Sequence, residues 1–128
     1  MSIKNVSFIG LGVMGYPMAG HLQKNGYNVT VFNRTDSKAK KWVEEYGGQM
    51  GKTPNEACLN AEIVFMCVGR DQDIIEVMEG NNGILSSAKG GLTIVDHTTA
   101  SAEIARTYFT KLQGKNISFL DAPVSGGQ

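Results

Sequence analysis

Five short apolar runs, Val6 to Ile9, Val29 to Phe32, Ile63 to Val68, Leu92 to Val95 and Ser118 to Leu120, alternate along the chain with helix-length segments. The helical segments lie near Met14 to Asn25, Asp36 to Tyr46, Asp71 to Glu79 and Ala102 to Leu112, with a shorter one near Pro54 to Leu59. Each run is 3 to 6 residues long and bounded by Gly, Asn or Asp, the length and punctuation of strands. The runs carry apolar residues on both faces rather than only at every second residue, which predicts strands covered on both faces and therefore a parallel sheet between two helical layers. The expected architecture is a doubly wound α/β domain with a mostly parallel sheet. Capping residues agree: Thr35, Asp36 and Ser37 precede the second helix, Thr53 precedes Pro54 at a first helical position, and Ser101 precedes the last helix, while Gly47 and Gly114 stop two helices.

Length and composition narrow the class. At 128 residues the chain is a single domain, since one domain takes roughly 100 to 200 residues. Hydrophobic residues at 41% against 19% charged favour a packed interior over disorder. Twelve basic residues balance twelve acidic ones, so no basic excess exists to draw nucleic acid or an anionic membrane surface. The longest purely apolar run, Ile63 to Val68, is six residues, against about 20 for a spanning helix. The amino end lacks the pattern of a secretory signal, and a cytoplasmic location is expected. Cys58 and Cys67 form no CxxC and fall in different elements, so they read as reduced packing residues with neither a zinc site nor a disulfide implied. The 16 glycines show no period, which leaves tight turns as their purpose.

One group of glycines carries chemistry. Gly10-Leu11-Gly12-Val13-Met14-Gly15 follows the first strand directly and opens the first helix. In such a turn Gly10 makes the sharp reversal, Gly12 lets the backbone approach a pyrophosphate, and Gly15 lets the helix pack closely on the strand. Backbone amides left unpaired at a helix start, together with the helix dipole, suit an anion without any basic side chain, in keeping with the neutral charge balance. Pro17 is compatible with a helix starting near Met14, because its absent amide falls among the first four helical positions. The pattern predicts a Rossmann-type dinucleotide-binding domain, with Gly10, Leu11, Gly12, Val13, Met14 and Gly15 on the cofactor.

The second strand ends in Phe32-Asn33-Arg34-Thr35. NAD-binding units place an acidic residue there to hold the adenosine ribose 2′-hydroxyl. Neutral Asn33 would not repel a 2′-phosphate, and the Arg34 guanidinium can pair with one through two parallel hydrogen bonds. NADP is therefore expected over NAD, with Asn33, Arg34 and Thr35 at its adenosine end and Asp36 a helix cap. Ligands bind outside the carboxyl ends of the strands, which draws in Val68 and Gly69 after one strand, Thr98 and Thr99 after the next, and Ser125, Gly126 and Gly127 after the last. Gly69 permits close approach, the two threonine hydroxyls can bond the nicotinamide end, and the Ser-Gly-Gly stretch suits a carboxylate, although a plain turn would look the same.

The segment Gly10 to Leu22 together with Asp121-Ala122-Pro123-Val124-Ser125-Gly126-Gly127 resembles the β-hydroxyacid dehydrogenases. That family includes 3-hydroxyisobutyrate dehydrogenase, tartronate semialdehyde reductase, glyoxylate and succinic semialdehyde reductases, and the amino-terminal domain of 6-phosphogluconate dehydrogenase. The resemblance implies hydride transfer between a nicotinamide and a short 3-hydroxy acid or its semialdehyde. It implies Thr98 beside the nicotinamide with Thr99 adjacent, Ser125, Gly126 and Gly127 on the substrate carboxylate, and an Asn33-Arg34-Thr35 triplet like that of NADP-using members. It also implies an acid/base lysine and a helical domain beyond the Asp121 to Gly127 motif, so residues 1 to 128 read as the NADP-binding domain with the helical domain absent.

No catalytic residue is expected within the chain. Lys4, Lys24, Lys38, Lys52, Lys89 and Lys111 fall on surface faces or turns. His21 lies inside the first helix and reads as a packing or surface residue, and His97, although beside the nicotinamide end, is not assigned the proton transfer. No metal-ligand cluster is present. The expected partner is a small carboxylate substrate, with no nucleic acid or membrane, and exposed apolar surface would drive self-association if the helical domain is missing. A non-catalytic nucleotide-sensing module is the alternative from another class. An S-adenosylmethionine methyltransferase fits less well, because it calls for an acidic residue where Asn33 stands.

Overall fold

A computed structural model of the chain describes residues 4–86, 90–98 and 102–122. Six strands form one sheet: β1 (Asn5–Ile9), β2 (Asn28–Phe32), β3 (Gln49–Met50), β4 (Ile63–Met66), β5 (Thr93–Asp96) and β6 (Ser118–Asp121). Five α-helices connect them: α1 (Gly15–Lys24), α2 (Asp36–Tyr46), α3 (Pro54–Cys58), α4 (Asp71–Glu79) and α5 (Ala102–Gln113). The strand order is β3-β2-β1-β4-β5-β6, and every neighbouring pair is parallel. From β1 the chain first winds outward through β2 to β3, then returns to β4 and winds the other way to β6. Right-handed crossovers in opposite directions put their helices on opposite faces.

Two cores follow from this winding. On one face Val6, Phe8, Val29 and Val31 pack with Ala19, Ala39 and Trp42 of α1 and α2. On the other, Val64, Met66, Ile94 and Phe119 pack with Ile74, Met78, Tyr108 and Leu112 of α4 and α5. Burial on both faces, expected for all the strands, holds only for β1. In β4 and β5 buried and half-buried residues alternate, because α4 and α5 cover one face there while α1 and α2 sit over β1 and β2. Among the described residues no helix is long and apolar enough to cross a membrane.

Local chemistry sets the element ends. Thr53 caps α3 by accepting the Glu56 amide at 3.0 Å, with Pro54 at the first helical position. Gly47 closes α2 in the left-handed region at φ 85°. Thr35 occupies the cap position of α2 without a side-chain cap bond, and Asp36, expected as a cap, instead pairs with Lys40 at 3.2 Å one turn on. Ser101 lies outside the described residues. β4 stops at Met66 although the apolar run continues to Val68, because its neighbour β1 turns away at Gly10 and only the Cys67 amide still reaches the Ile9 carbonyl, at 2.9 Å. The two-residue β3, which no apolar run announced, pairs with Thr30 and Val31 at the sheet edge.

Ile94 is fully buried in β5 against α4 and α5. Ile94→Ala is expected to lower unfolding free energy by about 2 to 5 kcal/mol, read by urea denaturation with Trp42 fluorescence. Ile75→Ala, on the exposed side of α4, should stay within about 0.5 kcal/mol of the parent.

Candidate dinucleotide site

The glycine turn joins β1 to α1 by bringing backbone against backbone. Gly10 has φ 100°, and a Cβ there would lie 2.2 Å from the Cys67 carbonyl oxygen. A Cβ on Gly15 would lie 2.0 Å from the Gly10 carbonyl oxygen, so α1 starts in contact with the turn that precedes it. Around Gly12 a Cβ would meet nothing within 4 Å: its hydrogen faces open space rather than protein. The turn is held from both sides, since the Gly10 amide donates to the Phe32 carbonyl at 2.9 Å and the Leu11 amide donates to Asn33 Oδ1 at 2.8 Å. Leu11 itself is fully buried, while Val13 is 86% exposed.

Two consequences follow for anion binding. The amides of Gly12, Val13 and Met14 have no hydrogen-bond acceptor among the described residues. They lie at the start of α1, where the dipole favours negative charge. Pro17 is the third residue of α1, where its missing amide costs no helical bond.

This turn forms one wall of a cavity of about 1040 Å³ at the carboxyl ends of β1, β2 and β4. The reversal of winding falls between β1 and β4, the crevice in which doubly wound sheets bind ligands. The structure brings Gly10, Leu11, Gly12, Val13, Met14 and Gly15, Asn33, Arg34 and Thr35, and Val68 and Gly69 into that one cavity. Lys38, Lys52 and Asp73 also line it, and no motif in the sequence marks these three as part of the site.

Asn33 does more than avoid negative charge. Its Oδ1 accepts from Leu11, and its Nδ2 donates to the Thr35 carbonyl at 3.1 Å, so one amide side chain ties the glycine turn to the loop after β2. Arg34 reaches across the cavity, and its Nη2 lies 2.7 Å from Asp73 Oδ1. The hydrogen bond to Asp73 raises the Arg34 pKa, and the Arg34 guanidinium holds the Asp73 carboxyl below the usual carboxylate range.

The expected nicotinamide end is arranged differently. Thr98 is buried rather than open to the cavity. Its Oγ1 accepts from the Val68 amide at 2.9 Å, and its own amide donates to Asp96 Oδ1 at 2.9 Å. Thr98 thereby fixes the backbone that carries Val68 and Gly69. His97 turns to the other face, stacked on Phe65 with ring centroids 5.9 Å apart, and its Nδ1 donates to the Ala122 carbonyl at 2.8 Å. With His21 it borders a separate hollow of about 560 Å³. Burial pushes the thiols up, Cys58 to about 12 and Cys67 in the same direction, as befits packing residues. Thr99, Ser125, Gly126 and Gly127 lie outside the described residues.

Two tests follow. Gly12→Ala places a methyl group in the cavity and nowhere else, so melting temperature should hold while dinucleotide affinity falls at least about tenfold, loss of one charge-assisted contact being enough. Calorimetric titration showing undiminished binding would contradict the cradle. The second concerns Asp96, whose carboxyl burial raises above its ordinary range, against the Thr98 amide and hydroxyl, which favour its charge. An acid with a raised folded pKa contributes stability that is whole below its unfolded pKa, about 3.9, and is lost as pH rises through the folded value. Asp96→Asn keeps an acceptor for Thr98 and removes the titration, so its stability relative to the parent should rise with pH across the acid range. A difference that does not vary with pH, in urea denaturation at successive pH values, would contradict this.

Comparison with known proteins agrees with this geometry. Residues 5–128 match the family model described as the NAD binding domain of 6-phosphogluconate dehydrogenase. An uncharacterized oxidoreductase of Shewanella frigidimarina is 56% identical over 123 residues, covering 96% of this chain and 42% of the relative. A probable 3-hydroxyisobutyrate dehydrogenase-like protein of Arabidopsis thaliana is 41% identical over 123 residues, 95% of this chain and 36% of its own length. The solved structure of Mycobacterium tuberculosis 3-hydroxyisobutyrate dehydrogenase with L-serine superposes with a TM-score of 0.88 at 26% identity, over 98% of this chain and 42% of that one. The chain thus spans less than half the length of these relatives. The glycine cradle, the parallel sheet and the matched family model together place the chain in the family of the NAD binding domain of 6-phosphogluconate dehydrogenase.

Proposed function

We propose that the domain binds NADP(H), and that the whole protein uses it to transfer a hydride between the nicotinamide and a short 3-hydroxy acid or semialdehyde. The observation that carries the cofactor choice is the end of β2. There the neutral Asn33 is turned inward onto the loop, and Arg34, with its side chain 75% exposed, stands at the cavity wall. An NAD site would put a carboxylate where Asn33 is. Lys38, in the same wall, adds positive charge near a 2′-phosphate.

The cavity residues divide the cofactor's length. The amides of Gly12, Val13 and Met14 hold the pyrophosphate, and Arg34 with Thr35 takes the phosphorylated ribose. Val68 and Gly69, kept in place by Thr98, lie toward the nicotinamide, and Thr99 is assigned to the same end, as the resemblance implies. When bound, the nicotinamide supplies or accepts the hydride. Ser125, Gly126 and Gly127 are assigned to the substrate carboxylate, and proton transfer to a lysine outside these residues, as the resemblance implies. The substrate class rests on the 3-hydroxyisobutyrate dehydrogenase-like relatives.

Calorimetric titration tests the cofactor choice. NADP should bind about tenfold or more tightly than NAD, the worth of charge-assisted hydrogen bonds to one phosphate, and Arg34→Asp should reverse the order. Equal affinities in the unmodified domain would overturn the assignment. With NADPH and glyoxylate or succinic semialdehyde, turnover by the 128-residue chain alone would overturn the placement of the proton donor outside it.

A further inference from the structure

We propose that Asp73 is a specificity-determining residue: its carboxylate competes with the cofactor's 2′-phosphate for the Arg34 guanidinium and so sets how strongly the domain prefers NADP. This rests on Arg34 as the 2′-phosphate ligand, and extends it to the opposite wall of the cavity.

The two residues come from different halves of the sheet. Arg34 follows β2, and Asp73 is in the first turn of α4, which follows β4. Both line the cavity, so their 2.7 Å contact spans it on the side where the adenosine ribose must enter. The partners differ in freedom. Asp73 is pinned, because its Oδ2 accepts from the Arg70 amide at 3.0 Å and the carboxylate backs onto Gly69, where a Cβ would lie 2.7 Å from that same oxygen. Its side chain is 16% exposed, against 75% for Arg34. Asp73 is therefore the fixed post and Arg34 the movable arm.

A 2′-phosphate needs the guanidinium turned toward the ribose, with its charge not already matched by a carboxylate. It gains Arg34 only to the extent that Asp73 gives it up, and it then lies close to the negative charge left behind. A 2′-hydroxyl bears no such charge and makes no such demand. Asp73 thus lowers affinity for the phosphorylated cofactor selectively, and moderates a preference that Arg34 creates. Asp73 also stays ionised near neutrality, because the Arg34 guanidinium and the Arg70 amide both favour its charged form.

The test uses 2′,5′-ADP and 5′-ADP as probes, titrated into the 128-residue chain, Asp73→Asn, Arg34→Gln and the double variant. Asp73→Asn removes the charge but keeps a side-chain oxygen that accepts from the Arg70 amide, so the start of α4 is preserved, and melting temperature checks that the fold is kept. Asp73→Asn should tighten 2′,5′-ADP about two- to fivefold, the range of one exposed ion pair, and leave 5′-ADP unchanged. In the Arg34→Gln background the same substitution should have no effect. Unchanged or weaker 2′,5′-ADP binding by Asp73→Asn overturns the proposal, and so does an equal gain without Arg34. If Arg34→Gln leaves the ratio of the two affinities unaltered, the reading of Arg34 itself fails; if it collapses the ratio while Asp73→Asn does nothing, only the role of Asp73 fails.

Discussion

Close approach of main chain to main chain at the end of β1 is the constraint on which the site depends. Gly10 passes beneath the Cys67 carbonyl and Gly15 rests on the Gly10 carbonyl, both within distances that admit no side chain. That contact lets β1 and β4 lie side by side while the chain turns into α1. Gly12, Val13 and Met14 line the cavity, and their amides find no acceptor among the described residues. The charge balance of the whole chain is zero, and the proposed pyrophosphate site needs no basic excess, because oriented peptide groups at a helix start supply positive potential.

The same constraint explains the supporting residues. A turn with so few side chains cannot hold its own shape, and the bracing comes from neighbours. Asn33 bonds the Leu11 amide from one side, and Thr98 bonds the Val68 amide on the other. Leu11, between two glycines, is buried as an anchor. In the proposed reading cofactor selectivity falls to the rim, where the exposed Arg34 can rearrange against a fixed Asp73 without disturbing the cradle.

What was legible in the sequence is what local pattern determines. Gly10 and Gly15 have geometric tasks that no other residue performs, so with Gly12 between them they declared the turn, and the apolar runs declared five strands. β3 was invisible because Gln49 and Met50 form no apolar run, and exist as a strand only by pairing with β2. The end of β4 was misplaced because it is fixed by where β1 turns away, not by the hydropathy of Cys67 and Val68. Asn33 was singled out for lacking charge, whereas its bond to Leu11 depends on a fold that brings residues 22 apart in sequence together. Asp73 carried a weaker signal: an acid in the first turn of a helix is an ordinary cap, and only the parallel winding places it opposite Arg34. Thr98 was chosen for its position after β5, and its buried hydroxyl acts through Val68.

The central claim is that the free amides of the glycine turn hold the pyrophosphate. Amide proton resonances during titration with NADP test it most directly. The account predicts that Gly12, Val13 and Met14 shift together in proportion to occupancy and exchange more slowly with solvent once bound, and that ADP-ribose, which keeps the pyrophosphate but lacks nicotinamide, moves the same three. Saturation with either ligand while these amides keep their positions and exchange rates would contradict it.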